Sequence, residues 1–428
     1  MRTPLGGVDA FHLVNDRVMR ARGLAGNHCL FAVAVEGHVD VQDLTRRLDR
    51  AIALLPELRR RLVRTPAGPA WLDAGPTFRA PAVRVRAVAT PEIEATLQAL
   101  VDDRVSGQAP WAIDLLRAED HDVIVWRWFH PLTDAKGAER FVAWLGSGDS
   151  SGPLDPPAPE DRADSGARPL AKLDRRARLD ATRAYGDHML EHARLPIVSL
   201  ATLGRGPVHG TRAIRVRLDE AETRAFDKHV RERAKLAETS VMVLASARLF
   251  DAILRDRGLA PAQHLVPVPL SLDPKAGATR MFGNNLTMMT FALRRDDLPD
   301  LPRAIATLAD QQRAIIREKL DVGMLASLDF AKVVPAPLYH WFLTRPFEGE
   351  VSSFVFSNPG AVALTTFAGR PVRDAFALPS VATPPGFQVI FSRFAGRLSA
   401  FIGFAGGLLT PTEEASLAPR LRSELLGL

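Results

Sequence analysis

The chain has 428 residues, 46% of them apolar and 24% charged, with a formal net charge of +6. That length exceeds one simple core and predicts two subdomains. No apolar run approaches the roughly 18 residues that span a bilayer, and the start Met1 to Gly7 lacks the apolar segment of a secretory signal. The single cysteine, Cys29, cannot form an intrachain disulfide, so a cytoplasmic protein is expected.

The first half alternates strands and helices. Residues 29–36 form an apolar run that predicts a buried strand, with Cys29 as a core thiol rather than a nucleophile. A helix over 40–55 puts Val41, Leu44, Leu48, Ala51 and Leu55 on one face. The basic cluster Arg59, Arg60, Arg61 and Arg64 follows. It reads either as a solvated face at a strand start or as a surface for an anionic partner. Zinc-finger spacing and ribonucleoprotein aromatic motifs do not accompany it, which argues against nucleic acid. Alternation predicts a strand over 82–86, and Ile93, Leu97, Leu100 and Val101 predict a helix over 91–105. Strands over 111–117 and 122–129 and a helix over 135–145 complete the half.

Residues 146–169 are rich in Gly, Ser, Pro and Asp and read as a linker or surface loop. A charged helix is expected over 173–194. The second half then repeats the mixture. Strands are expected over 212–217, 264–270, 286–294 and 352–357, and helices from Asp219, over 239–256, 300–319 and 321–330. Residues 386–394 and 397–404 predict a hairpin turning at Ala395-Gly396. Thr410-Pro411-Thr412-Glu413 is a capping box opening the last helix, which Pro419 is expected to bend. The division expected is 1–170, with 146–170 as the connection, and 171–428.

Four constellations could carry chemistry. In Trp128-Phe129-His130-Pro131-Leu132-Thr133-Asp134 a strand ends, a turn follows and a helix begins. Histidine titrates near neutrality and can take up and return a proton. Against that, Asp134 can be a plain N-cap and His130 a turn residue. His188-Met189-Leu190-Glu191-His192 matches the HxxEH spacing of inverted zinc peptidases, but it lies on a charged helix where solvated histidines are common, and no metal site is expected. Arg280-Met281-Phe282-Gly283-Asn284-Asn285 places amides at a strand start. Ser357-Asn358-Pro359-Gly360 ends a strand in hydroxyl and amide donors, which could hold an oxyanion or simply satisfy the turn. Glycine-rich phosphate loops and a GxSxG elbow are missing from the sequence.

In order along the chain, several segments resemble the condensation-like, coenzyme A-dependent acyltransferase superfamily, closest to the wax ester synthase/diacylglycerol acyltransferase and polyketide-associated branches. Phe129-His130-Pro131-Leu132-Thr133-Asp134-Ala135 stands where that superfamily has HHxxxDG, with Phe129 for the first histidine and Ala135 for the glycine. Pro4 to Ala10, Val35 to Asp40, Leu55 to Arg59, Ala109-Pro110-Trp111, Gly283-Asn284 and Ser357 to Gly360 fit its other elements. The resemblance implies an α/β fold of two chloramphenicol-acetyltransferase-like subdomains with a tunnel between them. His130 would be the general base and Asp134 structural, while Gly283, Asn284, Ser357 and Asn358 would be substrate or oxyanion candidates. An acyl-CoA or acyl-carrier protein would be co-substrate, with no tightly bound cofactor. The acceptor would be an alcohol or amine from lipid or polyketide metabolism, with membrane contact as a further partner. The two substitutions leave open a scaffold that binds a carrier protein or lipid without catalysis, and amide-forming condensation competes with ester formation.

Overall fold

In the computed structural model the described residues are 2–105, 109–148, 154, 156, 167–203, 207–234, 237–272 and 280–427. The fold is α/β, built on two large sheets. Most of the expected connection at 146–170 lies outside the described residues.

The first sheet has six strands in the order Thr366–Phe367, Arg370–Pro379, His28–Glu36, His121–Phe129, Trp111–Arg117 and Arg84–Ala87. Its two central strands are buried nearly throughout, so they read as continuous apolar runs. The helix Ala135–Leu145 packs Phe141 and Val142 against them, into a cluster with Trp111, Trp126 and Trp128.

The second sheet runs Val355–Ser357, Phe387–Phe394, Arg397–Gly406 and His209–Arg217, with Ala361–Val362 also paired to the second of these. The expected hairpin is present in full register, with Phe394 opposite Arg397. Ala395 takes φ 47° and Gly396 φ 77°, the conformation a tight hairpin turn requires. The helices Glu238–Asp256 and Pro411–Leu426 cover this sheet through Phe250, Leu417 and Leu421. Pro419 lies inside the last helix and does not end it.

The strand Arg370–Pro379 belongs to the second half of the chain but pairs with His28–Glu36 in the first sheet. This crossover joins the halves, so a cut at residue 170 does not separate the sheets. A third apolar cluster lies between the sheets, with Leu30, Leu100 and Phe376 on one side and Ile390 and Phe401 on the other. Arg215 bridges the same seam. It forks onto Asp374, and its guanidinium lies 4.1 Å from the centre of the Phe376 ring.

Candidate active site

His130 is the first residue after the strand His121–Phe129 and opens a single 3-10 turn, His130–Leu132. Pro131 fits that turn because its fixed φ suits the first helical position. Thr133 returns to extended backbone, and Asp134 caps the helix Ala135–Leu145. The Asp134 Oδ1 accepts the Gly137 N–H at 2.8 Å, and Oδ2 accepts the Asn285 N–H at 2.9 Å. The carboxylate is buried between a helix start and a segment of the other half. Gly137 has to be small, since a Cβ there would fall 2.9 Å from the Arg280 carbonyl oxygen.

That segment, residues 280–285, works as a latch. Gly283, at φ 83°, donates its N–H to the Leu132 carbonyl at 2.8 Å, and the Thr133 hydroxyl donates to the Met281 carbonyl at 2.9 Å. Asn284 is fully buried. Its amide donates to Asp9 Oδ1 at 2.8 Å and to the His130 carbonyl at 3.1 Å. Both amide hydrogens are thus engaged, so Asn284 positions the His130 turn instead of presenting a free donor. Neither Gly283 nor Asn284 borders the cavity described next.

A cavity of about 760 Å³ lies between the halves, and His130 forms part of its wall. Opposite elements contribute Tyr185, Met189, Met288, Ser357 and Asn358. Of the four oxyanion candidates, then, the structure brings Ser357 and Asn358 to the cavity. Asn358 spends its Oδ1 on the Gly360 N–H at 3.1 Å, closing the Pro-Gly turn. Ser357 ends the strand Val355–Ser357 and makes no side-chain hydrogen bond among the described residues.

The residues that sequence reasoning missed lie on the helix Gly7–Ala21. Asp9, His12 and Asp16 are all buried and share one helical face, three and four residues apart. Each serves the His130 turn. Asp9 holds Asn284. Asp16 accepts the Asn27 N–H at 3.2 Å, and the Asn27 carbonyl accepts the His130 N–H at 3.1 Å. The His12 ring stacks on the His130 ring with centroids 3.6 Å apart and planes 14° from parallel. Its Nδ1 is 3.0 Å from the Asn27 side-chain amide. A polar stripe at helical spacing so near the start was the signal available.

Burial pulls the His130 pKa down to about 4, against the opposing pull of its own carbonyl and the Asn284 side chain. His12 is also held well below the usual range, first by burial and then by the neighbouring His130 charge. Both rings are therefore neutral at physiological pH. No partner reaches the buried His130 Nδ1 in ordinary hydrogen-bond geometry. A neutral imidazole on a cavity wall can accept a proton from a bound hydroxyl or amine.

Phe129 points away from this chemistry. It packs near Leu5, Leu13 and Trp71 and lies 5.6 Å from the His28 ring. Ala135 borders the cavity at the helix start. Cys29 also borders it, but burial and then the Asp134 charge push its thiol well up, which disfavours a nucleophilic thiolate. Two members of the arginine cluster pair with local carboxylates. Arg59 forks onto Asp73 at 3.2 Å, and Arg60 lies 3.5 Å from Glu57. His188 and His192 face each other with Nε2 atoms 3.0 Å apart. Among the described residues no three His, Cys, Asp or Glu side chains come together as metal ligands. No helix among them is long and apolar enough to cross a membrane.

Solved structures share this fold over nearly the whole chain. The first condensation domain of the calcium-dependent antibiotic synthetase, with a substrate analogue bound, matches with a TM-score of 0.72 at 15% identity, over 100% of this chain and 96% of its own. A trichothecene 15-O-acetyltransferase from Fusarium sporotrichioides matches at 0.70 and 12% identity, over 99% and 95%. Polyketide synthase associated protein 5 from Mycobacterium tuberculosis matches at 0.59 and 15% identity, over 96% and 95%. These likenesses carry the two-subdomain condensation-type fold. No protein-family model matches the chain, and no curated protein sequence does.

Proposed function

We propose that this chain, built on a fold that serves condensation domains and an acetyltransferase, is itself an acyltransferase that moves an acyl group from a CoA or carrier-protein thioester to an alcohol or amine. The observation that carries the reading is the neutral His130 ring on the wall of a cavity large enough for two reactants. Cavities of this size hold drug-sized ligands.

In the proposed reaction His130 takes the acceptor proton as the acceptor oxygen or nitrogen bonds to the thioester carbonyl carbon. The carbonyl oxygen becomes an oxyanion, for which the unengaged Ser357 hydroxyl on the cavity wall is one candidate donor. Collapse re-forms the carbonyl and breaks the carbon–sulfur bond. His130 returns the proton to the departing thiolate. Asp134 keeps its structural place as cap and anchor. The Ser357 to Gly360 element leans towards ester formation over amide formation. Thiol release from acyl thioesters with alcohol and amine acceptors tests the reading.

The stacked pair makes a prediction about pH. A base must be neutral to act, so kcat/KM is expected to hold down to about pH 5 and to fall below the His130 pKa of about 4. Replacing His12 by alanine lets water reach the ring and relieves its burial. The acid limb then moves up towards the ordinary histidine value of about 6.5. A wild-type limb already near that value, or no movement in His12→Ala, would contradict this assignment. Linkage has the same sign. The unfolded chain takes up protons below about pH 6.5 that the folded ring refuses, so this group's share of stability falls between there and about pH 4.

A further inference from the structure

One surface beside the cavity is unlike the rest. The helix Ala336–Thr344 and the turn before it expose Phe330, Val333, Leu338, Trp341 and Phe342, with Val333 70% and Phe342 57% accessible. Phe330 and Phe342 also border the cavity, so these exposed rings stand at its mouth. Phe330 and Val333 further line a second hollow of about 370 Å³ with Leu179 and Arg175 from the helix Arg175–His192.

Cations fringe this apolar area. The Arg345 guanidinium lies 4.9 Å from the centre of the Trp341 ring. Burial lowers the His340 imidazole pKa, and the nearby Arg22 charge lowers it further. Arg22, Arg175 and Arg345 are exposed, and among the described residues none has a carboxylate partner. The acids of the segment are Asp329, which Lys332 neutralises at 2.6 Å, and Glu348 beyond the helix end.

We infer that this rim docks the cavity mouth onto an anionic bilayer, so that an apolar, lipid-borne acyl donor or acceptor enters without crossing water. Exposed tryptophan and phenylalanine mixed with unpaired arginine is the composition that settles at a headgroup boundary, apolar side inward and charge at the phosphates. An isologous dimer through the same face would bring three unpaired guanidiniums towards their own copies, which disfavours a second chain as the cover. The acyl-transfer proposal enters only in what the membrane delivers. Docking itself does not depend on it.

The test is co-sedimentation with phosphatidylcholine vesicles, with and without phosphatidylglycerol, at low and high salt. The wild-type chain is expected to bind the anionic vesicles at least about tenfold more tightly than the neutral ones, and salt should weaken that binding. Leu338→Ser with Trp341→Ser, two exposed residues that do not border the cavity, should cut binding about tenfold or more. Arg22→Gln with Arg345→Gln should cut it about 30-fold. These side chains are exposed, so circular dichroism should not change. Thiol release from a short, water-soluble acyl thioester should also stay normal in the variants, which separates failure of docking from failure of acyl transfer. Absence of wild-type binding, variants that bind as wild type does, or a stable dimer that Leu338→Ser with Trp341→Ser dissociates would each overturn the inference.

Discussion

Replacing His130 by alanine is expected to lower kcat/KM for acyl transfer by about 100- to 10,000-fold, the usual contribution of a positioned general base. The fold should survive. The bonds that fix the turn run through the His130 backbone, to the Asn27 carbonyl and from the Asn284 amide, and alanine keeps both. What is lost in stability is mainly the stack on His12, worth about 1 kcal/mol for a ring pair. Steady-state thiol release alongside a thermal melt separates the two effects. Near-normal turnover in a folded variant would remove the imidazole from the mechanism.

Replacing Asp134 by alanine is expected to act on stability, by about 2–4 kcal/mol. One part is the lost N-cap, worth about 1 kcal/mol. The other is the Asn285 N–H, buried and left without an acceptor, at about 1–3 kcal/mol. Denaturant titration checks the figure. The loss also frees the latch at 280–285, so activity should fall together with order around His130. Asp134→Asn keeps an acceptor for Gly137 but turns an amide group towards the Asn285 N–H, so it too should be destabilised. A stable, well-ordered Asp134→Asn protein without activity would instead give the carboxylate a part in the chemistry.

The central strands and the helix at 135–145 were legible because burial on both faces leaves long apolar runs, and because Asp134 is a plain cap signal. The hairpin at 395–396 was legible from its turn chemistry. The helix Gly7–Ala21 was not. Its buried face carries Asp9, His12 and Asp16, which are buried because they serve the His130 turn, and this breaks the apolar stripe that marks a helix. The helix Ala336–Thr344 was hidden for the opposite reason, since it exposes aromatic residues that periodicity places inside. The hairpin of Arg60–Thr65 and Gly68–Asp73 was obscured by its arginines. The strand Arg370–Pro379 alternates well enough, but its register shifts between Val372 and Asp374, and a single sequence carries no sign that it crosses to the first sheet. At the site, His130 and Asp134 were readable from one local motif. His12, Asn27 and the engaged state of Asn284 come from contacts between distant segments.

The account stands on proton transfer to His130 from an acceptor held in the same cavity as the thioester. The most direct measurement is thiol release from an acyl-CoA series, with and without alcohol and amine acceptors, in wild type and His130→Ala. Release that depends on the acceptor in wild type and collapses in the variant is the predicted result. Release that ignores the acceptor, or proceeds equally without the imidazole, would contradict it.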